Sequence, residues 1–379
     1  MKMSPGLSCQ ADLDFKIKGI FKKALDRGLF TGATAGYSFL NNHKNEIKTW
    51  AFGKTENNGG NRITKSTYFD LASLTKPLVT VLSLLSLLDE KKFFLNTPIV
   101  NIFNRKIPEQ MENIEIGQLM AHCSGLPAYR EYYKNLIEIK YLSERKEKIL
   151  DWILNEKIEN PPGKIITYSD LGYILLGRIV EDLCGLSLDF HWSEKIVKPL
   201  GLQEFLLFNP KKYLDKQTTY AATENCPWTR KMLSGVVHDE NCRALGGVAG
   251  HAGLFGTIDG VLHLCNHLVR QFRGEEIHPA YSTENLRNIL KKYKKSSWMY
   301  GFDTPSVIGS SSGRYFSEKS AGHLGFTGTS FWIDLERGIS IVLLTNRVHP
   351  TRENEGIRQF RPIFHDTVME YLLSSGERS

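Results

Sequence analysis

From Ala11 to Gly28 the chain places apolar residues at Leu13, Ile17, Ile20, Phe21, Ala24 and Leu25, a spacing that predicts an amphipathic helix stopping at glycine. The period then shortens. Gly32 to Leu40 and Glu46 to Phe52 read as strands, joined into a hairpin by the turn-forming run Asn41-Asn42-His43-Lys44-Asn45. A second hairpin is predicted near the other end, where Ser330 to Ile333 and Ile339 to Leu344 flank Leu335-Glu336-Arg337-Gly338, and Glu355 to Leu373 returns to helical spacing. Between them, from Ser73 to about Val237, helical periodicity dominates, broken by turns such as Asn160-Pro161-Pro162-Gly163. No internal repeat or low-complexity linker interrupts the pattern. It predicts an α/β (α+β) fold: an antiparallel sheet flanked by N- and C-terminal helices, with a mostly helical region inserted between its strands. The expected organisation is a single domain over residues 1–379, with 11–72 and 298–379 forming the sheet part and 73–297 the helical part. A site is expected where the two meet, because clefts form at such junctions.

Composition narrows the class. At 379 residues and 41% hydrophobic, the chain can bury a large core. The longest apolar run, Leu78 to Leu88, is interrupted by Ser and Thr and ends in Asp-Glu, short of the roughly 20 residues of a membrane span, so it reads as a buried helix. MKMSPGLSCQADLD carries one lysine and no apolar h-region, and the expected location is the cytoplasm, with no membrane partner. Cys9, Cys123, Cys184, Cys226, Cys242 and Cys265 lack metal-ligand spacing and read as free thiols. The formal charge of +7 is densest at Lys291, Lys292, Lys294 and Lys295, a solvated run; no nucleic-acid motif accompanies it.

The chemistry begins at Ser73-Leu74-Thr75-Lys76. Residues at i and i+3 share a helix face, so the Lys76 amine can reach the Ser73 oxygen, orient it and help remove its proton. Pro77 follows, a residue tolerated in the first helical turn, which puts Ser73 at the N-terminus of the apolar helix, where free N–H groups favour developing negative charge. Two decoys share parts of this pattern. Ser143-Glu144-Arg145-Lys146 has the same spacing but lies in the charged stretch LSERKEKILDW, a solvated helix face. Gly309-Ser310-Ser311-Ser312-Gly313 matches a G-x-S-x-G elbow, yet its flanks are a Gly/Ser-rich loop without the required strand and helix.

Two further segments bear on Ser73. Thr167-Tyr168-Ser169-Asp170-Leu171-Gly172-Tyr173 opens a predicted helix from Ile174 to Leu183. A phenol beside an ammonium titrates lower, and Tyr168 could then shuttle the Ser73 proton to a leaving group; the plainer reading is a half-buried tyrosine followed by a helix cap. Gly322-His323-Leu324-Gly325-Phe326-Thr327-Gly328-Thr329-Ser330 enters the Phe331 strand, where glycines permit close approach of a substrate and the Phe326 N–H could join that of Ser73 as an oxyanion hole.

With these three segments in this order, the chain resembles the serine β-lactamase and penicillin-binding-protein superfamily, specifically its class C-like branch of β-lactamases, esterases and D-amino-acid peptidases, over nearly its whole length. The resemblance implies Ser73, Lys76 and Tyr168 as catalytic residues, with no metal and no cofactor. Asp170 stands where the branch carries Asn, replacing a hydrogen-bond donor by an acceptor, and His323-Leu324-Gly325 stands where Lys-Thr-Gly is usual. The first change weakens the case for β-lactam or peptide-amide recognition by the usual contacts, and the second replaces the fixed positive charge that greets a β-lactam carboxylate with a titratable imidazole. A narrower resemblance, carried by Val237-His238-Asp239-Glu240-Asn241-Cys242, Leu245 to Phe255 and Leu344 to Pro350, is to N-acetylmuramoyl-L-alanine amidases of cell-wall recovery. His238, Asp239 and Glu240 could line the cleft and bind a sugar or peptide; they lack the spacing of a zinc site. Arg347 and Arg352 stand where the branch recognises a substrate carboxylate, and read equally as surface arginines near a helix start. His122 reads as structural. The implied activity is hydrolysis, through an acyl-enzyme, of a small carboxylate-bearing amide or ester such as a muropeptide fragment. A β-lactamase, a D-amino-acid carboxypeptidase or esterase, and a sensor that acylates without turnover are the alternatives.

Overall fold

The computed structural model describes residues 5–41, 44–294 and 296–376. Met1–Ser4, Asn42 and His43 of the first turn, and Lys295 of the basic run lie outside the described residues. Five strands form one antiparallel sheet in the order Lys44–Gly53, Gly32–Asn41, Ile339–Thr345, Ser330–Asp334 and Ser320–Leu324. Both expected hairpins are present. The edge strand Ser320–Leu324 was not anticipated, since its glycine and small residues carry no alternation; Gly322 to Leu324 belong to it rather than to the entry of the next strand.

Alternation sorts the sheet's two faces. Ala33, Ala35, Tyr37, Trp332, Ile339, Ile341 and Leu343 pack with Leu13, Ile17 and Phe21 of the N-terminal helix, Pro5–Asp26, and with Phe360, Phe364 and Val368 of the C-terminal helix, Ile357–Gly376. Their neighbours Phe331, Ile333, Val342 and Leu344 face the larger core shared with the helical region. On that side the helix Ile258–Arg273 lies across three of the strands. Gly36 permits the approach: a Cβ there would sit 2.8 Å from Leu262 Cδ1 and 2.6 Å from Lys48 O.

The apolar segment after Ser73 is the centre of the larger core. Leu78, Leu82 and Leu85 are buried, each contributing roughly 1.5–3 kcal/mol of transfer free energy. Ala72–Asp89 is long and apolar enough to cross a membrane by composition, yet 83% of that window is buried within the protein. Its opening differs from the regular helix expected: a 3-10 turn, Ala72–Leu74, then a π segment, Lys76–Val81, then α-helix, Leu82–Asp89. Side chains explain the irregular start, because Thr75 Oγ1 donates to Ala72 O at 2.6 Å and Thr80 Oγ1 to Gly250 O at 2.6 Å. A short sheet holds the segment in place: Phe69–Asp70 and Leu206–Phe208 both pair with Leu254–Gly256.

Candidate active site

Ser73 follows a residue in a rare conformation. Ala72 has φ +48°, a left-handed value that costs a non-glycine residue of order 1 kcal/mol or more. The buried Asp70 compensates, its Oδ1 accepting from Ala72 N at 2.8 Å and its Oδ2 from His238 N at 2.7 Å. Burial pushes the Asp70 carboxyl above its usual pKa despite those two N–H donors.

Lys76 is fully buried. Its Nζ donates to Ser73 Oγ at 3.0 Å and to His251 O at 3.1 Å, pairs with Asp170 Oδ1 at 2.7 Å, and lies 4.8 Å from the Tyr168 ring centroid. Burial disfavours its charge, but the Asp170 carboxylate and then Tyr168 outweigh that, so its pKa lies above the ordinary lysine value and the amine rests as an ammonium. Asp170 opens the helix Asp170–Cys184, which Ser169 caps through Gly172 N at 3.2 Å. Asp170 is therefore a counter-ion to Lys76 as well as a cleft residue, which the sequence pattern did not suggest.

The Tyr168 phenol departs from expectation. Burial raises its pKa above the ordinary value by more than Lys76 lowers it, and Asp170 adds to the rise. The phenol is neutral at rest, and the lowering that the neighbouring ammonium was expected to produce is outweighed. Its ring packs on His122 at 4.6 Å and faces Trp298 at 5.7 Å and His323 at 5.9 Å. His122 Nδ1 accepts from Ser169 N at 3.1 Å, and burial holds its pKa well below the usual value, a wall supporting Tyr168.

Across the cleft, the turn between the edge strand and Ser330–Asp334 is laced onto the backbone before Ser73. Thr327 Oγ1 donates to Asp70 O at 2.7 Å and Thr329 Oγ1 to Leu71 O at 3.1 Å. Gly325 is required in this contact, since a Cβ would lie 1.9 Å from Thr329 Oγ1 and 2.7 Å from Leu71 O. Phe326 is half exposed, and its N–H donates no hydrogen bond among the described residues. His323 is buried and neutral: burial and then Lys76 push its pKa down to about 3. Because its Nδ1 donates to Leu324 O at 2.9 Å, Nε2 carries a lone pair, and that nitrogen has no partner. The third segment thus offers an acceptor where a lysine would offer a charge.

Ser73, Tyr168, Asp170, His323 and Phe326 line one cleft of about 790 Å³. His238, Asp239 and Glu240 line it too, but their polar atoms serve the protein. His238 Nε2 meets Glu224 Oε2 at 3.0 Å, and Asp239 caps Cys242 N at 2.7 Å while holding His251 Nε2 at 2.8 Å. Burial would raise Asp239, yet His251 and the Cys242 N–H hold it below the carboxylate range. Glu240 and Glu224 each meet Arg352 Nη2 at 2.5 Å. This is a structural network along the cleft wall, so Arg352 is not a free surface arginine. Arg347 also lines the cleft, donating to Phe326 O at 2.7 Å, Arg352 O at 2.8 Å and Asn354 O at 3.0 Å, with no carboxylate in ion-pair range among the described residues. Arg361, unanticipated, donates to Gly325 O and Thr329 O at 2.8 Å each from a buried position. The decoys stay apart: Lys146 pairs with Glu181 at 2.9 Å, and Ser310–Ser312 form a hydrogen-bonded turn. Among the described residues no group of three or more His, Cys, Asp and Glu could hold a metal.

Known proteins resemble this chain over most of its length. The family described as Beta-lactamase matches residues 21–362. An N-acetylmuramyl-L-alanine amidase of Bacillus subtilis (strain 168) is 30% identical over 346 residues, covering 80% of this chain and 75% of that protein. An Escherichia coli (strain K12) protein provisionally named D-alanyl-D-alanine carboxypeptidase is 29% identical over 309 residues, 76% and 71% of the two chains. Among solved structures, the D-amino acid amidase of Ochrobactrum anthropi SV3 superposes with a TM-score of 0.70 at 20% identity, covering 97% of this chain and all of that one. The hydrolase EstCE1 superposes at 0.72 and 19% identity over 96% and 100% of the chains, a likeness of fold. The chain belongs to the β-lactamase family of serine hydrolases.

Proposed function

We propose that Ser73 attacks the carbonyl carbon of a small amide or ester bearing a carboxylate, with Lys76 and Tyr168 carrying its proton and the Ser73 and Phe326 N–H groups receiving the oxyanion. The observation that carries this reading is the 3.0 Å contact from the buried Lys76 Nζ to Ser73 Oγ. As the Oγ–carbon bond forms, the coupled Lys76 and Tyr168 groups, having released one proton to solvent, accept the serine proton. Collapse of the tetrahedral adduct breaks the bond to the amine or alcohol, which leaves with that proton, and water then hydrolyses the acyl-enzyme. A carboxylate is supported by Arg347 and Arg361, cleft guanidiniums whose hydrogen bonds among the described residues go to backbone carbonyls. Muropeptide fragments are the specific substrate class we favour, supported by the Bacillus subtilis amidase relative.

The test compares a muramoyl-L-alanyl peptide, a short-chain p-nitrophenyl ester and nitrocefin. The expected order has the peptide and the ester turned over, with nitrocefin the slowest by kcat/KM. Nitrocefin as the fastest substrate would contradict the roles given to Asp170 and His323. A single equivalent of labelling without turnover would make the protein an acylating sensor instead.

A further inference from the structure

The Lys76 nitrogen has one contact to which the serine chemistry alone gives no role. An ammonium carries three hydrogens, and each has an acceptor here: Ser73 Oγ at 3.0 Å, Asp170 Oδ1 at 2.7 Å and the backbone carbonyl of His251 at 3.1 Å. A lysine acting as base has lost one of them. The free amine has two hydrogens and one lone pair, and it takes the Ser73 proton only when the lone pair is the corner facing Ser73 Oγ. Asp170 and His251 O together hold that orientation, since committing both hydrogens to them leaves the third corner for the serine. An amine anchored at a single hydrogen would turn about that bond.

The His251 carbonyl belongs to a loop that runs beside the Lys76 segment. Gly250 O accepts from Thr80 Oγ1 at 2.6 Å, Ala252 O from Cys242 Sγ at 3.1 Å, and Leu254 N donates to Thr75 Oγ1 at 3.2 Å. These bonds hold the residues on either side of His251. The residue itself is held by its buried ring, in which Nε2 meets Asp239 Oδ1 at 2.8 Å while Nδ1 has no partner among the described residues. Burial opposes ionisation of Asp239, but His251 and the Cys242 N–H keep it a carboxylate, so it accepts and Nε2 carries the hydrogen. Asp239 is fixed in turn by Cys242 N, which donates to the same oxygen at 2.7 Å.

We propose that the Asp239–His251 pair positions Lys76: by fixing the rotation of the His251 peptide, it aims the carbonyl that holds one N–H of the free amine and so turns the lone pair toward Ser73. The inference rests on Ser73 acting as nucleophile with Lys76 as its base. Both side chains act through the loop carbonyl and take no proton from the serine. Asp239 thus borders the cleft without serving as a substrate contact, and losing the pair slows acylation while leaving ester binding in place.

The test follows a single turnover of a short-chain p-nitrophenyl ester with enzyme in excess, on the wild type, His251→Leu, His251→Gln, Asp239→Ser and the double variant Asp239→Ser/His251→Leu. The limiting rate at saturating enzyme reports acylation and is independent of how much of a variant folds; the half-saturating concentration reports binding. Rates are taken where activity no longer rises with pH, so a changed resting charge on Lys76 does not enter. Leucine fills the ring's volume without a donor, glutamine returns an N–H near Nε2, and serine keeps the cap on Cys242 N but is too short to reach His251. His251→Leu and Asp239→Ser are each expected to lower the limiting rate by about tenfold or more, with half-saturation little changed, as for a misplaced reacting group. The double variant should lose no more than either single one, and His251→Gln should recover most of the loss. Single variants as fast as wild type, losses that multiply in the double variant, or a glutamine variant as slow as the leucine one would overturn the positioning role. A wild type that releases no p-nitrophenol, or a Ser73→Ala variant that still does, would count against the nucleophile itself and is read without reference to His251.

Discussion

The ammonium of Lys76 and the carboxylate of Asp170 form a 2.7 Å ion pair at the wall of the cleft, with Lys76 fully buried and Asp170 partly exposed. The pair fixes the resting protonation of the site. Asp170 is among the groups that raise the pKa of both Lys76 and Tyr168, so the couple gives up the proton needed for base catalysis only at elevated pH. Activity is expected to climb on the alkaline side. Asp170→Asn removes a raising influence from both groups and should shift that limb to lower pH, measured as the pH dependence of kcat/KM. An unmoved limb would separate Asp170 from the proton inventory.

Gly325→Ala should damage catalysis while sparing binding. The added Cβ would meet Thr329 Oγ1 and Leu71 O, forcing the Phe326 N–H away from Ser73. Loss of one oxyanion donor lowers kcat by about a hundredfold. Steady-state kinetics on a short ester should give that fall with KM little changed; a rise in KM at constant kcat would place Gly325 in substrate binding instead.

Arg352 is expected to matter for stability. It neutralises Glu224 and Glu240, whose side chains are 4% and 11% exposed, and together with His238 it holds Glu224 down at about 2 against the effect of burial. Arg352→Met leaves Glu240 without its cation and Glu224 with His238 alone, a loss of about 3 kcal/mol. Glu224's depressed pKa means its contribution is complete above its ordinary value of 4.5 and disappears as pH falls toward 2. The difference in thermal stability between wild type and variant should therefore be widest near neutrality and narrow in acid. Arg358→Ala, which breaks a pair whose arginine is 74% exposed, should shift Tm little at any pH.

Legibility in the sequence followed the range of the interactions. Ser73 and Lys76 were readable because i and i+3 positions meet whatever surrounds them, and both hairpins because alternation and turn residues are local signals. Asp70 and the edge strand were not readable. Asp70 acts on His238, 168 positions away, and the edge strand Ser320–Leu324 is too small-sided to alternate. The irregular opening of the apolar helix depended on Thr75 and Thr80 finding carbonyl partners, one of them in a distant loop. Tyr168 was placed correctly in the cleft, but its titration was misjudged because a neighbouring charge can be read from a motif and burial cannot. His238, Asp239 and Glu240 do border the cleft; that their polar atoms are spent on Glu224, His251 and Arg352 emerges only from the packing.

The central claim is that Ser73 is the nucleophile, and covalent labelling tests it most directly. After reaction with a fluorophosphonate probe, peptide mass spectrometry should locate one adduct on Ser73, absent in Ser73→Ala and retained in Ser143→Ala and Ser311→Ala. An adduct on Ser311, with Ser73→Ala still labelled and still hydrolysing esters, would contradict the account.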